Sequence, residues 1–282
     1  VDRLVMLAKM DEEVEIDGTT YYLGTNEYPD DKLNPAGFVH LEDFTLEHGI
    51  ATFNYHIGLA RLEKRIWMEQ GKNTTYIQYT ATNSDGPLEL TLRPFANFRD
   101  YHNMTHGALD WNFLVTPSSD EHSSDCEIQA YPTATPYRLT VSQPATIIPV
   151  GVWYWHFVYR AERERGLDYM EDLYAPCIIK LSLKQGDSLA VIVSSEPRAS
   201  ISLDQAASLQ AAQSRPLDLL HKAQLDPAPL DAELCPLADG QPISDDVLAA
   251  LHAEMLLAAD QFIVARHPAT EGGDWLRTII AG

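Results

Sequence analysis

Within ten residues the chain sets out Arg93-Pro94-Phe95-Ala96-Asn97-Phe98-Arg99-Asp100-Tyr101-His102. Two guanidiniums, a carboxylate, a phenol and an imidazole at that density offer two kinds of chemistry. Arg99 and Asp100 can lock a loop through charge-assisted hydrogen bonds. With His102 they can instead face a polyhydroxylated ligand, because the cluster holds more donors and acceptors than a turn requires. These residues alone leave both readings open. A second candidate is Trp153-Tyr154-Trp155, where side-chain alternation along a strand turns Tyr154 away from the two tryptophans. Trp153 or Tyr154, if exposed, has the flat amphipathic ring that suits the apolar face of a sugar; if buried, it is core.

A third group is Glu162, Glu164, Glu171 and Asp172, with Arg160, Arg163 and Arg165 among them. Paired carboxylates perform glycoside hydrolysis when one of them stays protonated as a general acid. Neighbouring guanidiniums favour the ionised form, so this group reads as an ion-pair network and no catalytic residue is assigned. His102 and His106 stand four apart without the Glu of a helical zinc motif, and no metal site is expected. Nucleotide-binding glycine loops and the GxSxG nucleophile motif are absent from the sequence, and no cofactor is expected. The expected ligand contacts are Arg99, Asp100, His102, Trp153 and Tyr154.

Charge narrows the partners. Asp and Glu number 41 against 20 Lys and Arg, a net charge of −21. Such a surface repels phosphate backbones and anionic lipids, arguing against nucleic acid and membrane and leaving neutral ligands such as sugars. No apolar run approaches the roughly 18 residues of a membrane span. The start lacks the basic and apolar blocks of a signal peptide. Cys126, Cys177 and Cys235 are few and widely spaced, which points to reduced thiols and a cytoplasmic setting. Position 1 is Val, so the chain reads as an excised piece.

The elements that must position these residues are mostly strands. Leu4–Leu7, Glu13–Ile16 and Thr19–Leu23 surround the hairpin signal Asp17-Gly18. Residues 52–57, 60–69, 75–82, 88–92, 108–115, 126–131, 137–141 and 152–159 follow, with turn residues between them. Pro94 gives no hydrogen to a ladder, so the strand before it should bulge, meet an edge or end. Residues 161–176 read as a charged connection. Ile178–Leu183 and Leu189–Val193 read as a hairpin around Gly186-Asp187. Regularly spaced short strands predict a large antiparallel sandwich over 1–200. Residues 203–215 predict a helix and 226–242 a linker. Ser244 can cap a helix running to about Arg266, with Leu248, Leu251, Met255 and Phe262 on its apolar stripe.

Several blocks then resemble one family in order. They are Leu7–Glu12, Gly24-Thr25-Asn26-Glu27-Tyr28-Pro29, Leu62-Glu63-Lys64-Arg65-Ile66-Trp67-Met68 and Gly71–Thr74. Arg93–His102, Glu164–Asp168 and Glu171-Asp172-Leu173 complete the series. Together they resemble the N-terminal region of prokaryotic glycogen debranching enzymes, the amylo-α-1,6-glucosidases. Residues 259–264 and 277–282 resemble the entry of such enzymes into their helical (α/α) barrel. Pro176-Cys177 stands where the family usually has Pro-Gly, and the family's segment before Val1 is not in this sequence, so the resemblance implies an expected gap at one sheet edge. The resemblance implies a mainly β supersandwich followed by helices that lead into a missing barrel, where the catalytic carboxylates would lie. The domains would run 1–200 (sandwich), 201–242 (helix and linker) and 243–282 (start of the barrel). It implies intramolecular packing on that barrel and α-glucan as the substrate of the parent enzyme. The alternatives are a self-contained carbohydrate-binding module and a stand-alone hydrolase using the 162–172 carboxylates.

Overall fold

A computed structural model describes residues 3–225, 245–266 and 276–279. The described chain is mainly β, with antiparallel sheets and C-terminal helices. It divides into two compact units, residues 1–68 with 73–205, and residues 69–72 with 206–282.

The first unit begins with β1 (Leu4–Ile16), β2 (Thr19–Tyr22), β3 (Thr25–Tyr28), β4 (Lys32–Ala36) and β5 (Leu41–Glu47). It continues with β6 (Ile50–Ile57), β7 (Ala60–Met68), β8 (Thr74–Asn83) and β9 (Leu88–Asp100). After these come β10 (Leu114–Ser119), β11 (Ser124–Gln129), β12 (Tyr137–Val141) and β13 (Thr146–Val158). A single turn of helix, α1 (Arg160–Glu164), precedes β14 (Met170–Leu183) and β15 (Ser188–Ser194). Five strands form a sheet in the order β13-β14-β9-β1-β2, and eight form another in the order β10-β11-β12-β15-β8-β7-β6-β5. Every pairing is antiparallel.

Alternation along the strands decides what the two sheets bury between them. Leu88, Leu90 and Leu92 of β9 meet Leu62, Ile77 and Tyr79 of the larger sheet in one core. The same alternation turns two charges inward. Met10, Glu12 and Val14 share the core phase of β1, and Leu62 and Lys64 that of β7. The Lys64 ammonium donates to Glu12 across the sandwich, and Tyr79 donates its hydroxyl to Glu12 at 2.7 Å. Burial pushes the Tyr79 phenol well above its ordinary value, and the Glu12 carboxylate adds to that. The two sheets also bring together Cys126 of β11 and Cys177 of β14. Both are free and buried.

Several strand expectations need correction. Residues 108–113 are not strand, and the strand expected over 108–115 lies instead at Leu114–Ser119. Pro94 sits inside β9, opposite Met10 of β1, with a register shift on the β14 side between Tyr174 and Ile179. The bulge occurs, but the strand continues to Asp100. Arg93–Asp100 is therefore strand, not loop, and lies at the end of a central strand instead of a sheet edge. Residues 170–176 belong to β14, and only the part before them is a connection. Strands β14 and β15 do not form a hairpin, because they lie in different sheets. The turn between them, with Gly186 in the left-handed region at φ 83°, anchors on Ala81 of β8 through Gly186 N–H at 2.8 Å.

The second unit carries most of α2 (Gln205–Lys222), with α3 (Asp245–Gln261), β16 (Ile263–Arg266) and β17 (Leu276–Ile279). α2 runs through Pro216 rather than stopping at Arg215, so the missing amide hydrogen interrupts one bond of the ladder without ending the helix. It closes on Gln224 at φ 58°, with Leu225 N–H donating to the Leu220 carbonyl at 2.9 Å. Arg215 pairs with Asp260 of α3 at 2.5 Å. α3 ends at Gln261, and residues 263–266 pair with 276–279 as strands instead of extending the helix. Its buried positions are Ala250 and Ala253, while Leu248, Met255 and Phe262 are exposed. The expected apolar stripe is thus not the covered face. The expected Ser244 cap, Cys235 and the 226–242 linker lie outside the described residues. Among the described residues, no helix is long and apolar enough to cross a membrane.

Candidate functional site

While Arg93 pairs with Glu13, the later part of the Arg93–His102 stretch, from Asn97 onward, delivers its polar groups to one end of the smaller sheet. There Glu171, the second residue of β14, is fully buried and accepts from four partners. Asn97 Nδ2 donates at 3.1 Å, the Thr105 N–H at 3.1 Å and the Tyr159 hydroxyl at 2.7 Å. Arg99 adds a two-pronged contact, Nε to Oε1 and Nη2 to Oε2 at 3.2 Å. β14 lies between β9 and β13, so one carboxylate reaches groups from both neighbours and from the 101–107 loop. The adjoining Asp172 accepts the Gly107 N–H at 3.0 Å and the His156 N–H at 2.8 Å. Together these two carboxylates hold the loop down.

This changes the partner expected for Arg99. Its carboxylate is Glu171, not Asp100, and its Nη1 donates to the backbone carbonyls of Asp100 and Tyr101, each at 3.2 Å. Asp100 instead folds its own turn, accepting the His102 N–H at 2.9 Å. His102 lies on the surface, its ring 3.8 Å from that of Tyr101. His106 and His156 are exposed on the same loop-bearing end, each beside a carboxylate, Asp168 at 3.2 Å and Asp172 at 3.7 Å. Among the described residues, no group of three His, Cys, Asp or Glu side chains is placed to hold a metal ion.

Trp153 reaches the same end from the core side. It is buried among Trp111, Phe113, Trp155 and Tyr174, and its indole donates to the Trp111 carbonyl at 2.8 Å. A Cβ on Gly107 would lie 2.6 Å from the Trp153 ring, so only glycine lets the loop close this tightly. The Trp153 ring therefore packs on protein, while Trp111 and Trp155 remain half-buried around it. Arg99, Asp100, His102 and Trp153 thus converge on one loop.

Tyr154 faces the other way, as alternation requires. Its ring meets Phe95 edge-on at 4.9 Å, and Arg93 lies 5.9 Å from its centre. It borders a separate cavity of about 310 Å³ on the outer face of the smaller sheet, beside the β3–β4 hairpin. A larger cavity of about 630 Å³ opens between the sheets along the first half of β1, with mixed apolar and charged walls.

The charged connection spends its groups on pairing. Arg160 binds Glu27 at 2.9 Å, Arg163 binds Asp31 at 3.3 Å and Glu162 pairs with Arg165 at 3.2 Å. Sequence reading passed over Glu171 as one of several carboxylates in this stretch, because three of its four partners, Asn97, Arg99 and Thr105, lie some 70 residues earlier. It also missed Glu12 with Lys64. The available signal was a lysine and a glutamate each standing in the apolar phase of an alternating strand.

A family model described as glycogen debranching enzyme N terminal matches residues 1–190. The chain belongs to the glycogen debranching enzyme N-terminal family. The match covers the whole smaller sheet and the loop that Glu171 and Asp172 hold, so the family's region and the candidate site coincide. No curated protein matches the chain. Among solved structures, one titled a polysaccharide lyase aligns at 13% identity over 67% of this chain and 25% of that one, with a TM-score of 0.28. The chain spans about a quarter of that structure, and a likeness this low carries no argument.

The buried phenols give a pH test of the packing. Burial pushes Tyr159 above its ordinary value, with the Glu171 charge next, and Tyr55 and Tyr79 are raised by burial beside Glu12. The folded chain keeps protons that the unfolded chain releases near pH 10, so the unfolded state binds fewer. Stability is then intact below about pH 10 and falls as the pH rises beyond it. Melting temperatures taken across that range by circular dichroism should drop steadily, alongside late-appearing phenolate absorbance. A flat profile would go against neutral, buried phenols.

Proposed function

We propose that this chain is the non-catalytic N-terminal domain of a cytoplasmic glycogen debranching enzyme, an amylo-α-1,6-glucosidase. In this reading it packs on the enzyme's catalytic barrel and helps shape the α-glucan site. The observation that carries the proposal, beside the family match, is the complete use of Glu171. A carboxylate with four donor groups, fully buried, has no free oxygen for a substrate proton. Glu162 is tied to Arg165 and Asp172 to two backbone amides, which disfavours a hydrolase built on residues 162–172. The exposed groups of the held loop, His102 foremost, are the ones free to meet a sugar or a facing domain. Arg99 and Asp100 serve by shaping the backbone that presents it, and Trp153 by supporting the loop from beneath.

The chain, incubated with a branched α-1,6-linked oligosaccharide, should release no glucose. Release that disappears in Glu162→Gln or Glu171→Gln, with the fold intact by circular dichroism, would overturn the proposal in favour of the hydrolase.

A further inference from the structure

The cavity of about 310 Å³ on the outer face of the smaller sheet is not part of the loop-bearing end, and its chemistry is distinctive. Its rings are Tyr22, Tyr28, Phe95 and Tyr154. Tyr22 is half exposed on the edge strand β2, and Tyr154 stands edge-on to Phe95. Tyr28 leans against Phe157, which packs with Phe95, Leu173 and Ala175 in a small apolar cluster beneath. The floor under the rings is therefore apolar.

Polar groups converge on the same space, and they are already paired with one another. Arg93 donates to Glu13 at 2.6 Å, and Asn26 Nδ2 donates to Asp11 at 2.8 Å. Lys9 neutralises Asp11 at 2.7 Å and also donates to Asn26. Each local carboxylate thus has a cation or amide beside it, and the cavity offers fixed acceptors and donors without a large net charge. An anion would meet Asp11 and Glu13 here and the net charge of −21 outside. A cation would compete with Arg93 and Lys9 for carboxylates that are in use. A neutral polyol has neither difficulty. Its hydroxyls both donate and accept, and its C–H faces lie on aromatic rings. The volume falls at the low end of the about 300–1,000 Å³ typical of small-molecule sites.

We infer that the cleft between Tyr22, Tyr28 and Tyr154 is a binding subsite for a neutral oligosaccharide, separate from the loop held by Glu171 and Asp172. Resting on the debranching-enzyme reading, the ligand is a stretch of α-glucan chain. Tyr22 and Tyr154 contribute ring faces, and the Arg93–Glu13 and Asn26–Asp11 pairs contribute hydrogen bonds to hydroxyls. The subsite would hold the glucan at a distance from any chemistry, which adds affinity through a second attachment point.

The test is titration of the chain with maltoheptaose by calorimetry and ligand-observed NMR. The expected result is saturable binding that weakens roughly 3- to 10-fold in Tyr22→Ala and again in Tyr154→Ala, the share of one aromatic contact each. Tyr22 is a surface side chain on an edge strand, so its removal leaves the melting temperature unchanged and keeps the result readable if Tyr154→Ala destabilises the fold. Binding that survives both tyrosine variants but is lost in His102→Ala would overturn the cleft and leave the proposed function standing. No binding of maltoheptaose to the unaltered chain would also overturn the cleft. The proposed function fails separately, by glucose release from the chain alone.

Discussion

Glu171→Ala should lower the stability of the sandwich by about 3–5 kcal/mol, the usual penalty for removing one partner of a buried ion pair. At roughly 2–4 °C per kcal/mol for a domain of this size, the melting temperature should fall by roughly 6–20 °C. The physical reason is the charge left behind. Arg99 is largely buried, and without Glu171 its guanidinium keeps only the carbonyls of Asp100 and Tyr101. Asn97 Nδ2, the Thr105 N–H and the Tyr159 hydroxyl lose their acceptor in the same step. Asp100→Ala, by contrast, should cost about 1 kcal/mol or less, because Asp100 only accepts the amide of its own exposed turn. Thermal unfolding of the two variants side by side decides the matter. Equal, small losses would show that Glu171 does not organise this end of the sheet.

Glu12→Ala should be of similar size, about 3–5 kcal/mol, because it strands the Lys64 ammonium between two sheets and deprives Tyr79 of its acceptor. The informative measurement is the combination. With Glu12→Leu, Lys64→Met and Tyr79→Phe together, no buried polar atom of the group remains unpaired, and most of the lost stability should return. Replacing a whole buried ionic group with apolar residues of similar size is often neutral or stabilising. Denaturant unfolding of the single and triple variants gives both values. A triple variant as unstable as Glu12→Ala would mean that the group sets the register of the two sheets as well as satisfying its own charges.

These two expectations could not have been written from the sequence, although both sets of residues were in plain view. The sequence by itself determined the class of fold. Period-two alternation in segments such as 75–82 and 88–92, with Asp17-Gly18 and similar turn signals between strands, requires an antiparallel sandwich with one buried face per strand. It also sets an expectation for partners, because an excess of 21 negative charges repels anionic surfaces at long range whatever the fold. The opposite facing of Trp153 and Tyr154 follows from the alternation of a strand and was legible too.

Tertiary structure decided everything that depends on which strand lies beside which. Local patterning makes Ile178–Leu183 and Leu189–Val193 look like a hairpin. Their assignment to different sheets depends on β9 and β8 having already taken the places beside them. The same holds for the site. Arg99 has Asp100 as its nearest carboxylate in sequence, yet it binds Glu171, because antiparallel pairing brings the start of β14 to the end of β9. Adjacent side chains on a strand point to opposite faces, so a sequence neighbour is a poor partner for a planar two-pronged donor. A strand's hydrophobic pattern specifies its buried face but not its neighbour, and charge pairing across a sheet depends on the neighbour.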